Sequence, residues 1–266
     1  MESEMSEFNR EAYVGEAGGL KAYITKVMTK MGIAMVITAA VAFAVYASGL
    51  YVVLASSLMF LIVAIVQLVL CGSLSASLSR MDAQGMTAKF YGYAALTGVT
   101  FSILPLVFDV STIFYAFAYA AVMFFACAVI GHTTNVDLSK FSGLFMGAMI
   151  AMLVALVFAM FIPGMNLAIS YIGIILFLGI TAWDMQKIKS YYYGTNEGYG
   201  VAGESLAVYG AFSLYLDFIN VFLYVLRILG VRSDRNGEHS SVRNEHDPRT
   251  VLSGDFHRCV PGMGDN

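Results

Sequence analysis

The stretch SLAVYGAFSLYLDFINVFLYVLRILG, residues 205–230, is long and apolar enough to cross a bilayer as a helix, yet it carries Asp217 near its middle. A helix needs roughly 20 apolar residues to span a hydrocarbon core, and an ionisable group at that depth costs several kcal/mol unless it is paired, protonated or hydrated. The apolar run before it, residues 167–188, holds a second carboxylate, Asp184, in Ala182-Trp183-Asp184-Met185. Residues 204–220 add Glu204, Ser205, Tyr209, Ser213, Tyr215 and Asn220, spread around the helix instead of along one stripe. Such a helix is costly against lipid and favourable when enclosed, which predicts a central place with the other spans around it. Two carboxylates on consecutive spans predict one site. The bland reading, in which Asp217 is a protonated hydrogen-bond donor between helices, competes with a role in conduction or sensing.

The rest of the chain sets the solvent. Of its 266 residues 59% are apolar and only 12% charged, against about a quarter charged in soluble domains. This is the composition of an all-α integral membrane protein, with the lipid bilayer as its principal partner. The net charge of −3 is small and argues against a nucleic-acid partner. Cys71, Cys127 and Cys259 are an odd set without framework spacing, so no disulfide or zinc site follows.

Residues 1–26 are polar and acidic, lack a signal peptide's basic start and apolar core, and read as a cytosolic N-terminal tail with a short surface helix near Leu20–Ile24. Residues 27–230 form a ladder of apolar spans at about 28–49, 51–77, 87–108, 112–131, 141–162, 167–188 and 205–230. That predicts a seven-transmembrane-helix bundle, because backbone groups in lipid are satisfied only by helices once a barrel's alternation is absent. Residues 231–266 are rich in charge, Gly, Ser, Asn and His and read as a disordered C-terminal tail.

The connections Gly49-Leu50, Phe108-Asp109-Val110 and Pro163-Gly164 carry no Lys or Arg, whereas the alternate ones carry Arg80 and Lys89, then Lys140, then Lys187 and Lys189. The positive-inside bias puts the N-terminus and those alternate loops in the cytosol. Arg227, Arg232 and Arg235 flank the end of the last span on the opposite side. A re-entrant last span is therefore the rival topology.

Other features have plain structural readings. Gly143, Gly147 and Ala151 form a small-residue stripe for close helix packing. Met146, Met149, Met152 and Met160 are apolar fillers, and Tyr191, Tyr192 and Tyr193 read as an interfacial anchor. His132 stands at a span end as an interfacial polar group, and His239, His246 and His257 are solvated tail residues. Asp217 lies about a dozen residues into its span, roughly 18 Å at 1.5 Å per residue, so it meets Asp184 only if the last helix begins before the membrane. Arg80 closes the second span within reach of the same level, completing a titratable cluster.

Several of these runs match a known family. Leu214-Tyr215-Leu216-Asp217-Phe218-Ile219-Asn220 with Leu226-Arg227, the run Ala182 to Lys189, the run Tyr93 to Thr100, and Thr133-Thr134 with Asp137-Leu138-Ser139 resemble the bacterial branch of the Bax inhibitor-1, or transmembrane Bax inhibitor motif, family. The resemblance covers about residues 20–230. It implies a multi-pass protein of the inner (plasma) membrane, not an enzyme, without a cofactor: a pH-sensitive calcium leak channel with its last helix central. It further implies that Asp184 and Asp217 share a proton as the pH sensor and hold calcium transiently, and that Arg80 latches Asp184 in the closed state. Some members carry a glutamate inside the second helix; here 51–79 has no acidic residue, and Val69 stands near that place.

Two other seven- or two-aspartate architectures fit poorly. A diaspartyl intramembrane protease also sets aspartates on neighbouring helices, but no Gly-x-Gly-Asp or Pro-Ala-Leu occurs at these positions. A retinal photoreceptor needs a lysine in its last span, and residues 205–230 have none. The alternative that stays open is a non-conducting stress or quality-control factor binding a membrane protease or partner helices.

The topology is testable by cysteine accessibility in a background lacking the three native cysteines. Lys140→Cys should react only with reagent that has reached the cytosol, and labelling from outside intact cells would overturn the assignment. Ser240→Cys decides between a full last crossing and a re-entrant one.

Overall fold

The computed structural model describes residues 2–54, 57–80, 82–134, 136–159, 165–195 and 200–245. All the regular structure among them is helical: α1 (Glu2–Ala47), α2 (Tyr51–Leu54), α3 (Ser57–Leu78), α4 (Ala83–Phe101), α5 (Leu104–Val107), α6 (Val110–Thr133), a 3-10 turn (Leu138–Phe141), α7 (Ser142–Ala159), α8 (Met165–Gly194) and α9 (Gly200–Glu245). Among the described residues six helical stretches are long and apolar enough to cross a membrane: Gly18–Ala47, Leu58–Leu78, Ala83–Val107, Val110–Thr133, Leu167–Gly194 and Gly200–Arg232. The expected span at 141–162 is helical over Ser142–Ala159, with a shorter apolar stretch at Leu138–Met152. Its closing turn, Pro163-Gly164, lies outside the described residues.

The breaks between helices have local causes. Gly49 takes a left-handed φ of 74°, a conformation that costs glycine nothing, and turns the chain from α1 into α2. Asp82 caps α4, its carboxylate accepting from the Gly85 N–H at 2.9 Å. Pro105 at the first turn of α5 lacks an N–H to continue the ladder of α4, which ends at Phe101. Among the described residues, helix extends beyond the apolar stretch at both ends. The chain is helical from Glu2 straight into the first span, and α9 runs past the apolar stretch to Glu245. Extending a formed helix avoids the cost of nucleation, so polar residues joined to a stable span stay helical where composition alone suggests coil.

The last helix carries more of the core than any other. More than half of its apolar window is buried, against 6% for the α3 window. It packs against α8, α6, α1, α4 and α3, and Val208, Ala211, Leu214, Tyr215, Phe218 and Val221 are at most 1% exposed. Two of its polar groups are met: Tyr215 Oη lies 2.7 Å from Thr38 Oγ1 on α1, and Asn220 Nδ2 donates to the Leu216 carbonyl of its own helix at 2.8 Å.

Two expectations about packing are corrected. A Cβ at Gly143 or Gly147 would meet nothing within 4 Å, so that stripe brings no helix of this chain close. The inward face of α7 is made by Phe145, Met149 and Met152 instead, which follow helical spacing and join the core. Tyr192 is not an interfacial anchor either: it is 1% exposed, its ring lies 5.6 Å from that of Tyr23, and its hydroxyl sits against Gly19. A close approach lies between α1 and α4, where a Cβ on Gly98 would stand 2.5 Å from the Thr38 carbonyl oxygen and 2.8 Å from Val41 Cβ.

Gly98→Ala should therefore overpack this contact and cost on the order of 1–3 kcal/mol, read as a lower unfolding temperature in detergent. Gly147→Ala, facing open space, should leave the temperature unchanged or raise it slightly; equal losses for both would contradict this packing.

Candidate functional site

Asp184 and Asp217 sit on the buried, facing sides of α8 and α9, at 5% and 4% exposure. The two helices run antiparallel, and close contacts fix their register: Ile188 Cγ1 stands 2.8 Å from where a Cβ on Gly210 would be, and the Tyr224 ring fills the space beside Gly173. This register sets Thr181 opposite Asp217 and leaves Asp184 one turn away, roughly 4.5 Å along the axis for three residues. Thr181 Oγ1 donates to the Phe177 carbonyl of its own helix at 2.8 Å, and the pairing of the two helices sets the Asp184 and Asp217 carboxylates near each other. The required early start of the last helix is met: Tyr23 Oη donates to the Gly203 carbonyl at 3.4 Å, and Glu204 pairs with Lys26 and, at 3.9 Å, with Lys30.

The cation beside Asp184 is Lys187, one turn along the same helix, with Nζ 2.6 Å from Oδ1. That oxygen has no well-directed hydrogen bond, so the contact is a charge pair. Lys187 is steered from below by an aromatic stack. Its ammonium lies 3.5 Å from the centroid of the Trp183 ring, a cation–π contact. Trp183 stacks in turn on Phe145 of α7, with centroids 5.7 Å apart. Tyr191 on α8 and Tyr209 on α9 are half-buried and pack against the core. Asp217 Oδ2 is buried without a partner.

Arg80 stands elsewhere. It is exposed at the turn after α3, its N–H bonded to the Ser77 carbonyl at 3.1 Å, and among the described residues it forms no ion pair with Asp184. The structure thus brings Asp184 and Asp217 together with Lys187 and Thr181, and leaves Arg80 at the rim. No group of three or more His, Cys, Asp or Glu that could hold a metal occurs among the described residues, so calcium would meet two carboxylates and neighbouring oxygens only.

The end of α8 also grips the connection between α6 and α7. Gln186 accepts from the Leu138 N–H at 2.9 Å and donates to the Val136 carbonyl at 2.7 Å, while Lys189 Nζ donates to the His132 carbonyl at 2.8 Å. Asp137 caps the 3-10 turn by accepting from the Ser139 N–H at 3.1 Å. One turn further in, Gly131 lies directly against the Ala182 backbone, so α6 meets α8 beside the carboxylates. His132 Nδ1 and Trp183 Nε1 are buried without partners at this place.

Sequence reasoning missed Lys187, Gln186 and Thr181 as parts of the site. Asp184 and Lys187 at i, i+3 is helical pair spacing and was the available signal; the other two are visible only once the register is known.

Removing the ammonium leaves a buried carboxylate without its counter-charge, which costs about 1–3 kcal/mol. Lys187→Met should lower the unfolding temperature accordingly, and Asp184→Asn/Lys187→Met should recover part of the loss because the stranded charge is gone. A double variant as unstable as the sum of the singles would show that the two groups do not interact.

Comparison with known proteins gives the family. Residues 20–234 match the family described as Inhibitor of apoptosis-promoting Bax1. The chain is 35% identical over 233 residues to the inner membrane protein YbhL of Escherichia coli, covering 86% of this chain and all of the relative. It is 34% identical over 221 residues to an uncharacterized protein of Rickettsia prowazekii, covering 81% and 92%. A third relative, the uncharacterized protein YrjE of Lactococcus lactis, is 33% identical over 229 residues, covering 84% and 96%. The match takes in α3 to α8 entire, nearly all of the crossing stretch of α1 and all of that of α9, with both buried aspartates inside it: this chain is a member of the Bax inhibitor-1 family.

Proposed function

We propose that this protein is a pH-sensitive calcium leak channel of a bacterial inner (plasma) membrane, built as seven crossings around α9 with its N-terminus in the cytosol. The observation that carries this reading is the pair of buried carboxylates on α8 and α9, one turn apart, with Asp217 Oδ2 unpartnered. Like charges that close in a low-dielectric bundle do not both ionise cheaply, so the pair shares a proton and titrates as a unit. Asp184 is the member of the pair that meets a cation, Lys187, while Asp217 has none beside it among the described ion pairs.

Gating follows from competition for Asp184. Lys187 holds it in the structure, and Arg80 at the α3–α4 turn is the second cation, which reaches it by swinging inward. When Asp184 is ionised, Arg80 ties α3 to α8 by a charge-assisted hydrogen bond and closes the path. When the pair takes up its proton, that tie is lost and α3 moves. Acid thus opens the leak, while the same protonation weakens the attraction of calcium, so flux does not rise without limit. α3 suits this role because it is the least buried of the crossing helices.

A second reading, a non-conducting quality-control factor binding a membrane protease or partner helices, draws on one observation. The Gly143 and Gly147 face of α7 is open, and small residues let a foreign helix approach closely. Liposomes containing only this protein separate the two readings, because a partner-dependent factor gives no flux.

Calcium entry into such liposomes should rise as pH falls from about 8 to about 6, the window in which a shared proton acts as a physiological switch. Arg80→Ala and Asp184→Asn should both leave the leak high at alkaline pH, since each removes the latch, and Asp217→Asn should flatten the response. A flat wild-type profile, or an Arg80→Ala leak still shut at about pH 8, would contradict the mechanism. No aspartate-dependent cleavage of a transmembrane peptide is expected.

A further inference from the structure

The half of the bundle away from the α8–α9 connection contains an apolar groove of about 720 Å³ between α1, α4–α5, α6 and α9. That size lies within the range of small-molecule sites. Along α1 it extends from Met35 to Tyr46, eleven residues and roughly 16 Å, about half of a ~30 Å hydrocarbon core and so one leaflet deep. Its mouth lies between Phe43 and Phe114, 74% and 68% exposed, which belong to the lipid-facing belt. The groove is continuous with the bilayer interface.

Its walls offer no free hydrogen-bonding group in the interior. Thr38 Oγ1 is held by the Ala94 carbonyl at 2.9 Å and by Tyr215 Oη at 2.7 Å, and Ser102 Oγ donates to the Val99 carbonyl at 2.7 Å. Water or an ion there would be stripped of partners. The one other polar lining residue, Tyr46, stands at the end nearest the α1–α2 turn, stacked on Tyr51 with centroids 5.2 Å apart. Aromatic residues with a polar tip mark the headgroup level. A molecule with its polar end at Tyr46 and a hydrocarbon tail running down to the floor fits both ends of the groove.

We infer that the groove is a lipid site that takes one acyl chain of a phospholipid from the leaflet containing the α1–α2 turn, and that this chain packs against Phe218, Ile219 and Phe222 of α9. The floor immediately follows Asp217 in sequence, so the occupant braces α9 next to the buried carboxylate. The inference stands apart from calcium conduction and does not need it.

The test uses the full chain in vesicles of phosphatidylethanolamine and phosphatidylglycerol, doped with phosphatidylglycerol carrying a diazirine at the end of one acyl chain. Phe218 and Phe222 are 1% and 4% exposed and lie behind the groove, so photolabel on their peptide reports a chain that has entered. Label on this peptide is expected in wild type, together with label on the exposed α3 belt as internal control. Ala39→Trp, which projects into the groove, should reduce the α9 label and leave the α3 label unchanged, with helicity checked by circular dichroism. A wild-type protein labelled on α3 but not on α9 would overturn the inference without recourse to the variant. So would α9 label that a folded Ala39→Trp does not reduce.

Discussion

A carboxylate enclosed among apolar helices is the constraint on which the rest of this structure depends. Asp184 and Asp217 are each almost fully buried, and hydrocarbon supplies no solvent to offset their charge. The bundle answers by surrounding α9 with neighbours, by placing an ammonium on one carboxylate and a hydroxyl beside the other, and by keeping the two only one turn apart. Gly131 against Ala182 lets α6 close the site from one side. Phe145 on Trp183 closes it from the other.

Some polar groups elsewhere in the bundle are satisfied by ordinary interhelical bonds. Gln67 on α3 donates to Thr97 Oγ1 of α4 at 3.2 Å, and Tyr215 meets Thr38. Buried polar atoms without a partner lie beside the carboxylates (Asp217 Oδ2, Trp183 Nε1 and His132 Nδ1) and also further along α9, at Ser205 Oγ and Arg227 Nη1. Each such atom costs about 1–3 kcal/mol, more where it is charged. The opposite half of the same helix bundle is lined by hydrocarbon-like walls. Along α9 the two buried carboxylates thus lie on the α8 side and the apolar groove on the side of α1 and α6.

Much of this was legible in the sequence, because lipid leaves the backbone few choices. Long apolar runs dictate helices, short neutral connections dictate antiparallel neighbours, and a lone aspartate within a run must be enclosed. The last helix was recognised by polar groups spread all round it. What escaped was whatever depends on the rotation of a helix. Lys187 was counted as a loop charge, although helical spacing returns it to Asp184. Tyr192 was assigned to the interface with its two neighbours, yet one residue in three of such a run faces inward. The Gly143 stripe looked like the packing face of α7, whereas the larger Phe145, Met149 and Met152 turn inward and leave the glycines outside. Arg80 was placed near Asp184 by its level in the membrane, and level alone does not set the side chain's direction.

The central claim is that Asp184 and Asp217 hold one proton between them. Infrared difference spectroscopy of the reconstituted protein between about pH 8 and about pH 6 tests it directly, in the range where a physiological switch must act. The account predicts a carboxylic-acid band that changes across this interval in wild type and is abolished or moved by either Asp184→Asn or Asp217→Asn, since removing one partner ends the sharing. A band that survives unchanged in both variants, or no carboxyl signal at all in wild type, would contradict it.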